Sequence, residues 1–277
     1  MKKVVLSIVA VLALLGAPAF AADMPVKAKP VAVTSPWDVL FGVDFASDYI
    51  LRGISQTNRA PAVQGYFEVD YKAADWLTLY AGIWGSSLWT CFANAEFDNN
   101  GGARFSWGNF GLDIGGVYYA YPCSGCVAAV TGSSSISYAE FYVKPSYKVT
   151  DWLTVGGQIY GGDNFGNSGE SAWWYTGNVT ITPPQFLPMG IGFSASADLG
   201  RQTYDSTLKS AAWNFVDYTT WDAGVDFTYK AITLDLRYYD TDAPSTAAEC
   251  TYGGSRNLCS GQFVAMLKFD AALSSLK

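Results

Sequence analysis

The 277-residue chain contains no histidine. That absence excludes Ser-His-Asp, Cys-His and Asp-His catalysis, together with imidazole-ligated metal centres. Charge is also scarce, at 15% of residues against about a quarter in ordinary soluble domains. Its 17 Lys and Arg are outnumbered by 24 Asp and Glu, giving a net charge of −7. No window is basic enough to neutralise a row of phosphates, so nucleic acid is not an expected partner. Beyond the first residues, no stretch approaches the roughly 18 uninterrupted apolar residues of a membrane-spanning helix. Against these absences stand 50% apolar residues, 16% aromatics and 28 glycines, the composition of a folded chain with many turns.

The opening residues read as an export signal. Lys2 and Lys3 form a charged region, Val4 to Leu15 an apolar stretch, and Ala19-Phe20-Ala21 a small-x-small cleavage site. The expected organisation is a signal peptide over 1–21 and a lead-in over 22–36 that carries Pro25, Pro30 and Pro36. A barrel over 37–270 and a short tail over 271–277 follow. Export places the five cysteines where disulfides persist.

From Trp37 onward the pattern has period two, with hardly any helical periodicity. Val63, Gly65, Phe67, Val69 and Tyr71 share one face of a segment whose other face carries Gln64, Tyr66, Glu68 and Asp70. The alternation recurs over Tyr138 to Val149, Ile191 to Leu199, Trp221 to Lys230, Ile232 to Tyr239 and Gln262 to Asp270. About twelve such segments occur, most near the ten residues that cross a bilayer when tilted. Connectors alternate between short and long. The short ones fall at Lys72 to Asp75, Gly108-Asn109, Lys148 to Asp151, Pro183 to Met189 and Lys230-Ala231. The long ones fall at Ser55 to Pro61, Ser86 to Asn94, Pro122 to Ser135, Gly161 to Ser171, Gln202 to Asp217 and Thr241 to Gly261. Two short turns repeat the pattern Tyr-Lys-x-x-Asp-Trp-Leu-Thr, at Tyr71 and at Tyr147.

Alternation alone also suits a soluble sandwich with its apolar face inward. Two features favour lipid outside. Trp76, Trp84, Tyr118, Tyr121, Trp152, Tyr160, Trp173 and Tyr238 fall at predicted strand ends, as an interfacial girdle requires. The polar face is rich in Gly, Ser, Thr, Asn and Tyr rather than the Lys and Glu of a soluble exterior. The expected fold is all-β: a transmembrane antiparallel up-and-down β-barrel of about 12 strands, in the bacterial outer membrane.

The segment Ser47-Asp48-Tyr49-Ile50-Leu51-Arg52-Gly53-Ile54-Ser55-Gln56-Thr57, followed by Pro61 and Gln64-Gly65, resembles the opening signature of the TorF family of bacterial outer-membrane porins. Gly82-Ile83-Trp84-Gly85-Ser86, Tyr119-Ala120-Tyr121-Pro122 and Glu140-Phe141-Tyr142-Val143 fall in the order that family shows. The resemblance implies an outer-membrane barrel. Such barrels usually finish on an aromatic read by the barrel-assembly machinery. Here Phe269 is the residue expected to serve, with Asp270 to Lys277 beyond it.

Within the signature, Asp48 and Arg52 are four apart, hence on the same strand face, at the end of the first strand beside the outer loop. They read either as a charge pair shaping a pore mouth or as a structural pair fixing the first hairpin, with Gly53 at a tight bend. Cys123 and Cys126 are expected to form a loop disulfide, as are Cys250 and Cys259, which leaves Cys91 unmatched. A thioredoxin-type motif would need a βαβ context, and zinc a second reduced pair. The loop Gly161 to Asn167 has a calcium-loop composition without the spaced carboxylates and closing Glu of an EF-hand, and reads as a solvated turn.

No enzyme activity, cofactor or metal is expected. Applying the inward parity strand by strand gives pore-lining candidates Asp44, Glu68, Asp70, Arg104, Asp113, Glu140, Lys144, Asp226, Asp235 and Arg237. Asp198, Asp222, Asp270, Lys148, Lys230 and Lys268 follow the same parity, so inward acids outnumber inward bases, and Tyr66, Tyr138, Tyr142, Tyr160, Trp174 and Tyr239 narrow the lumen. The expected function is passive diffusion of small hydrophilic solutes or ions with a weak cation preference. The alternative is a structural or adhesive barrel with a plugged lumen and partner-binding outer loops.

Overall fold

A computed structural model of the chain describes residues 35–90, 93–122, 135–205, 215–251 and 257–276. The expected signal peptide, Cys91, Cys123 and Cys126 lie outside the described residues.

The period-two segments fold as strands: β1 (Trp37–Ala46), β2 (Ile50–Leu51), β3 (Ile54–Ser55), β4 (Ala62–Ala74), β5 (Leu77–Ser87), β6 (Ala95–Trp107) and β7 (Phe110–Ala120). They continue with β8 (Tyr138–Thr150), β9 (Leu153–Phe165), β10 (Glu170–Ile181), β11 (Gly192–Tyr204), β12 (Tyr218–Tyr229), β13 (Ile232–Thr241) and β14 (Gln262–Ala272). Twelve of them, β1 and β4 to β14, close into an antiparallel barrel in which each pairs with its chain neighbours and β1 also pairs with β14. The final strand runs past Asp270 to Ala272 and ends in a 3-10 turn over Leu273–Leu276. The pair β2 and β3 stands apart as a hairpin inside the first outer loop.

Register follows the side-chain alternation. Between β1 and β4, Val39 pairs with Val69, Phe41 with Phe67 and Phe45 with Val63, and all but Val39 and Val69 are well exposed on the outer face. The next residues along the same strands turn inward, and Asp44 and Gln64 pair there with almost no exposure. The barrel is therefore inside out relative to a soluble one: large apolar side chains cover its exterior and polar ones fill it. This is the arrangement lipid requires, since closure leaves no unpaired sheet edge and the outer face meets hydrocarbon. Among the described residues no helix is long and apolar enough to cross a membrane. This is a transmembrane-type barrel.

Aromatic residues band the outer wall. At the short-turn end Trp76, Phe105, Trp107 and Phe110 stack in sequence with interplanar angles below 20°. At the other end Phe141 packs edge-on against Trp173, and Trp221 packs at a tilt against Tyr238. Three of the eight girdle residues read from sequence face the other way. Trp84 and Tyr160 line the interior, and Tyr121 donates a hydrogen bond to Glu96. Strand parity, not position near a strand end, decides the side.

Two connectors differ in length from the sequence reading. The expected long loop Gly161 to Ser171 contracts to 166–169, because β9 extends through Phe165. Gly161 belongs to the strand because the Trp173 ring lies on its face: a Cβ there would sit 2.6 Å from that ring. The turn itself uses left-handed backbone at Gly166, Asn167 and Gly169. The supposed calcium-type loop is thus mostly strand. On the short-turn side, β10 and β11 are joined by the longer segment 182–191, which contains a 3-10 turn over Pro188–Gly190.

Candidate functional site: the barrel interior

The ten residues selected by parity fall into a few groups. Glu68 and Asp70 on β4, Arg104 on β6 and Asp113 on β7 form one cluster. Arg104 donates to both carboxylate oxygens of Glu68, at 2.8 and 2.9 Å, and reaches Asp70 at 3.3 Å. The fork geometry of guanidinium suits this two-pronged pairing. Its guanidinium lies 3.8 Å from the centre of the Tyr80 ring, and the Tyr80 hydroxyl donates to Asp113 at 2.6 Å. Tyr80 and Tyr142 touch through their hydroxyls.

Across the interior stands a second cluster. Arg237 on β13 donates to Asp222 at 2.5 Å and to Ser196 at 2.7 Å. Lys268 on β14 donates to Asp235 at 2.9 Å and lies 3.9 Å from Asp226. Asp44 is opposite Lys268 in the β1–β14 register, while Asp270 accepts from the Tyr66 hydroxyl at 3.0 Å. Lys144 sits over two rings, 4.0 Å from the centre of Tyr142 and 5.1 Å from that of Tyr160.

Glu140 is held elsewhere. Its carboxylate, fully buried, pairs at 2.5 Å with Arg52, a residue of the first outer loop. That loop does not project outward. Strand β1 stops at Ala46, and the chain turns in to form the β2–β3 hairpin, with Ile50 opposite Ser55 and Leu51 opposite Ile54. Its two-residue turn is Arg52-Gly53, with φ of 50° and 82°. Positive φ at both central positions is the type I′ signature, which Gly53 accommodates without penalty. Gly53 also has no room for a side chain: a Cβ would lie 2.8 Å from Thr220 Cβ.

The Asp48–Arg52 pairing considered from sequence does not form. Asp48 instead accepts from Ser55 Oγ at 2.8 Å, Thr57 Oγ1 at 2.6 Å and Gln262 Nε2 at 2.7 Å. The four-residue spacing put the two on one face only if the strand continued, and it does not.

Parity also placed Lys230 inside, but it lies exposed in the β12–β13 turn. Two inward acids escaped that reading. Glu96 is fully buried and accepts from the Tyr121 hydroxyl at 3.0 Å, and Asp98 lines the central cavity. The parity that turns Arg104 inward turns both inward as well, so the signal was present in the strand.

Among the described residues, two interior cavities flank the first outer loop. One of about 400 Å³ lies against Tyr49 to Gly53 and is walled by residues of β5 to β13, among them Asp98, Lys144, Tyr160, Trp174, Asp198 and Asp222. Another of about 100 Å³ lies toward the long loops and is largely aromatic, with Tyr121, Tyr138, Phe165 and Tyr218 in its wall. Among the described residues only Leu51 and Arg52 line both. In the outer loops Cys250 and Cys259 are joined by a disulfide and pack with Ile54, Tyr218 and Leu258. Among the described residues no group of three His, Cys, Asp or Glu is placed to hold a metal.

The family model described as "Bacterial protein of unknown function (Gcw_chp)" matches residues 31–269. The chain belongs to that family. No curated protein matches it. Among solved structures it is similar to a chain determined in work on the in-meso crystallization of membrane proteins. The identity is 9% and the TM-score 0.50, with 85% of this chain and 84% of that one covered. It is also similar to an outer membrane channel from Pseudomonas putida F1, at 11% identity and TM-score 0.48, covering 87% and 97%. KdgM porin matches at 10% identity and TM-score 0.46, covering 84% and 98%. Family membership thus gives kinship without an assigned activity, and the likeness to solved structures concerns the fold.

Proposed function

We propose that this barrel is a channel of the bacterial outer membrane, reached by export and the barrel-assembly machinery, through which small hydrophilic solutes or ions diffuse. The observation that carries the reading is a lipid-type outer wall enclosing a charged, partly hollow interior. A chain built only as a scaffold would gain more from an apolar filling than from so many ion pairs, because buried pairs stabilise little after their desolvation. The resemblance of the Ser47 to Thr57 segment to TorF-family porins agrees with it.

The pore-lining set is Asp44, Glu68, Asp70, Arg104, Asp113, Glu140, Lys144, Asp226, Asp235 and Arg237, to which Glu96 and Asp98 are added. Acids predominate, so cations are preferred. The preference is modest, since charges in a wet lumen are screened over about 8–10 Å at physiological salt. Reversal potentials across a planar bilayer under a salt gradient test this, and anion preference would refute the assignment of charges.

One observation favours a second reading. A hairpin crosses the interior and is pinned at both ends, as a plugged structural or adhesive barrel would require. Single-channel conductance of the refolded protein separates the two.

A further inference from the structure

The hairpin runs from one wall of the barrel to the other. At its base Ser47 continues the ladder with Ala265 of β14, its amide donating to the Ala265 carbonyl at 2.9 Å, and Asp48 is fixed to Gln262. At its tip Arg52 meets the opposite wall. The guanidinium donates to Glu140 on β8 and, at 3.0 Å, to Gln202 on β11. Its carbon lies 5.5 Å from the Tyr160 ring centre and 5.6 Å from that of Trp174. Tyr119 on β7 donates its hydroxyl to the same Glu140 carboxylate at 3.0 Å. Five successive strands, β7 to β11, thus contribute to one receptacle for one side chain, which retains only 7% exposure.

We infer that Arg52 is the residue that sets the size and charge of the passage: with Leu51 it forms the partition between the two cavities, and its pairing with Glu140 is the latch that holds the partition shut. The inference rests on the channel reading above. Three features carry it. Among the described residues the two cavities share these two alone. The hairpin is a two-residue turn whose own ladder is a single pair of short strands, too little to be stable by itself, so its position depends on what its tip and base grasp. The base anchor is a neutral-to-charged hydrogen-bond set around Asp48, whereas the tip is held through one side chain, Arg52, whose only counter-charge within ion-pair distance among the described residues is Glu140. Removing either member of a buried pair leaves the other charge uncompensated, which favours release of the hairpin into water.

The charge consequence follows from the same geometry. While latched, Arg52 and Glu140 cancel and contribute little field to a passing ion. Arg52→Met leaves an unpaired carboxylate on the wall, and Glu140→Gln leaves an unpaired guanidinium on the freed hairpin. Both release the partition, with opposite effects on selectivity.

The test is planar-bilayer recording of four refolded proteins: the natural chain, Arg52→Met, Glu140→Gln, and a variant in which Ile50 to Ser55 is replaced by two glycines. Only preparations whose gel mobility changes on boiling, the mark of a closed barrel, are recorded. The expected result is a several-fold rise in conductance, or in the open fraction, for every folded variant. The reversal potential should shift toward cations for Arg52→Met and toward anions for Glu140→Gln. Folded variants that conduct as the natural chain does, or that shift selectivity in the same direction, overturn the assignment to Arg52. The hairpin-shortened barrel keeps the question decidable if both point variants fail to fold. If even that barrel passes no current, the channel reading itself falls. If the natural chain conducts and removing the hairpin changes nothing, only the partition falls.

Discussion

Asp48 Oδ2 accepts a 2.7 Å hydrogen bond from Gln262, 214 residues further along the chain. Its other oxygen takes Ser55 and Thr57, so one carboxylate fastens the first outer loop to the last strand. Asp48→Ala leaves three donors without their acceptor, a loss of about 1–3 kcal/mol confined to the loop. Amide hydrogen exchange should accelerate across residues 49–57 while the barrel strands keep their protection. Unchanged exchange there would show that the loop is held without Asp48.

Arg104 is the counter-charge for Glu68, Asp70 and Asp113. Arg104→Met should raise cation preference, read as a shift of reversal potential in dilute salt that fades in concentrated salt. The accompanying loss of stability is about 1–2 kcal/mol, below that of a fully buried pair, because a third of the Arg104 side chain is exposed.

The Cys250–Cys259 disulfide joins cysteines nine positions apart. In the chain-entropy account so short a loop contributes about 2–3 kcal/mol, and that gain belongs to the outer end of the molecule. Reduction should speed proteolysis between β13 and β14 and leave the boiling-dependent gel shift intact. Loss of the gel shift on reduction would mean that the bond supports the barrel itself.

Glu249 in the same loop is almost fully buried. Burial pushes its carboxyl up to about 7 from 4.5, only partly offset by its own backbone amide and Tyr204. A carboxyl raised on folding favours the protonated form, so the loop keeps this contribution in full below pH 4.5 and loses it as pH rises through about 7. The change amounts to at most about 3 kcal/mol. Hydrogen exchange of residues 245–251 compared at pH 5 and 8, after correction for intrinsic rates, should show the looser loop at the higher pH. Glu249→Gln should abolish the difference.

The strands were legible because their side chains answer to two solvents at once. Phe67 and Glu68 are adjacent and must face opposite media, and that requirement writes the period directly into the sequence. The same parity gathers Glu68, Asp70, Arg104 and Asp113 into one cluster. The inward hairpin was not legible. Ile50, Leu51 and Ile54 continue the apolar texture of β1, so the segment reads as more strand, and only the left-handed backbone at Arg52 and Gly53 turns it back. Nor does local spacing disclose that the partner of Arg52 lies 88 residues away. Contacts across a lumen are set by closure and stagger of the barrel, which no short window contains.

The pairing of β1 with β14, from Leu40 opposite Ala272 to Ala46 opposite Met266, gives this wall a seam. Every other barrel contact between strands joins chain neighbours and can zip up locally, whereas the seam must bring the two ends of the sheet together, the slow, non-local step of such a topology. The Asp48 anchor lies on one side of that seam and its Gln262 donor on the other. The hairpin therefore cannot seat in a half-built cylinder. Its base anchor is complete only when the wall is, so a seated hairpin marks a closed cylinder.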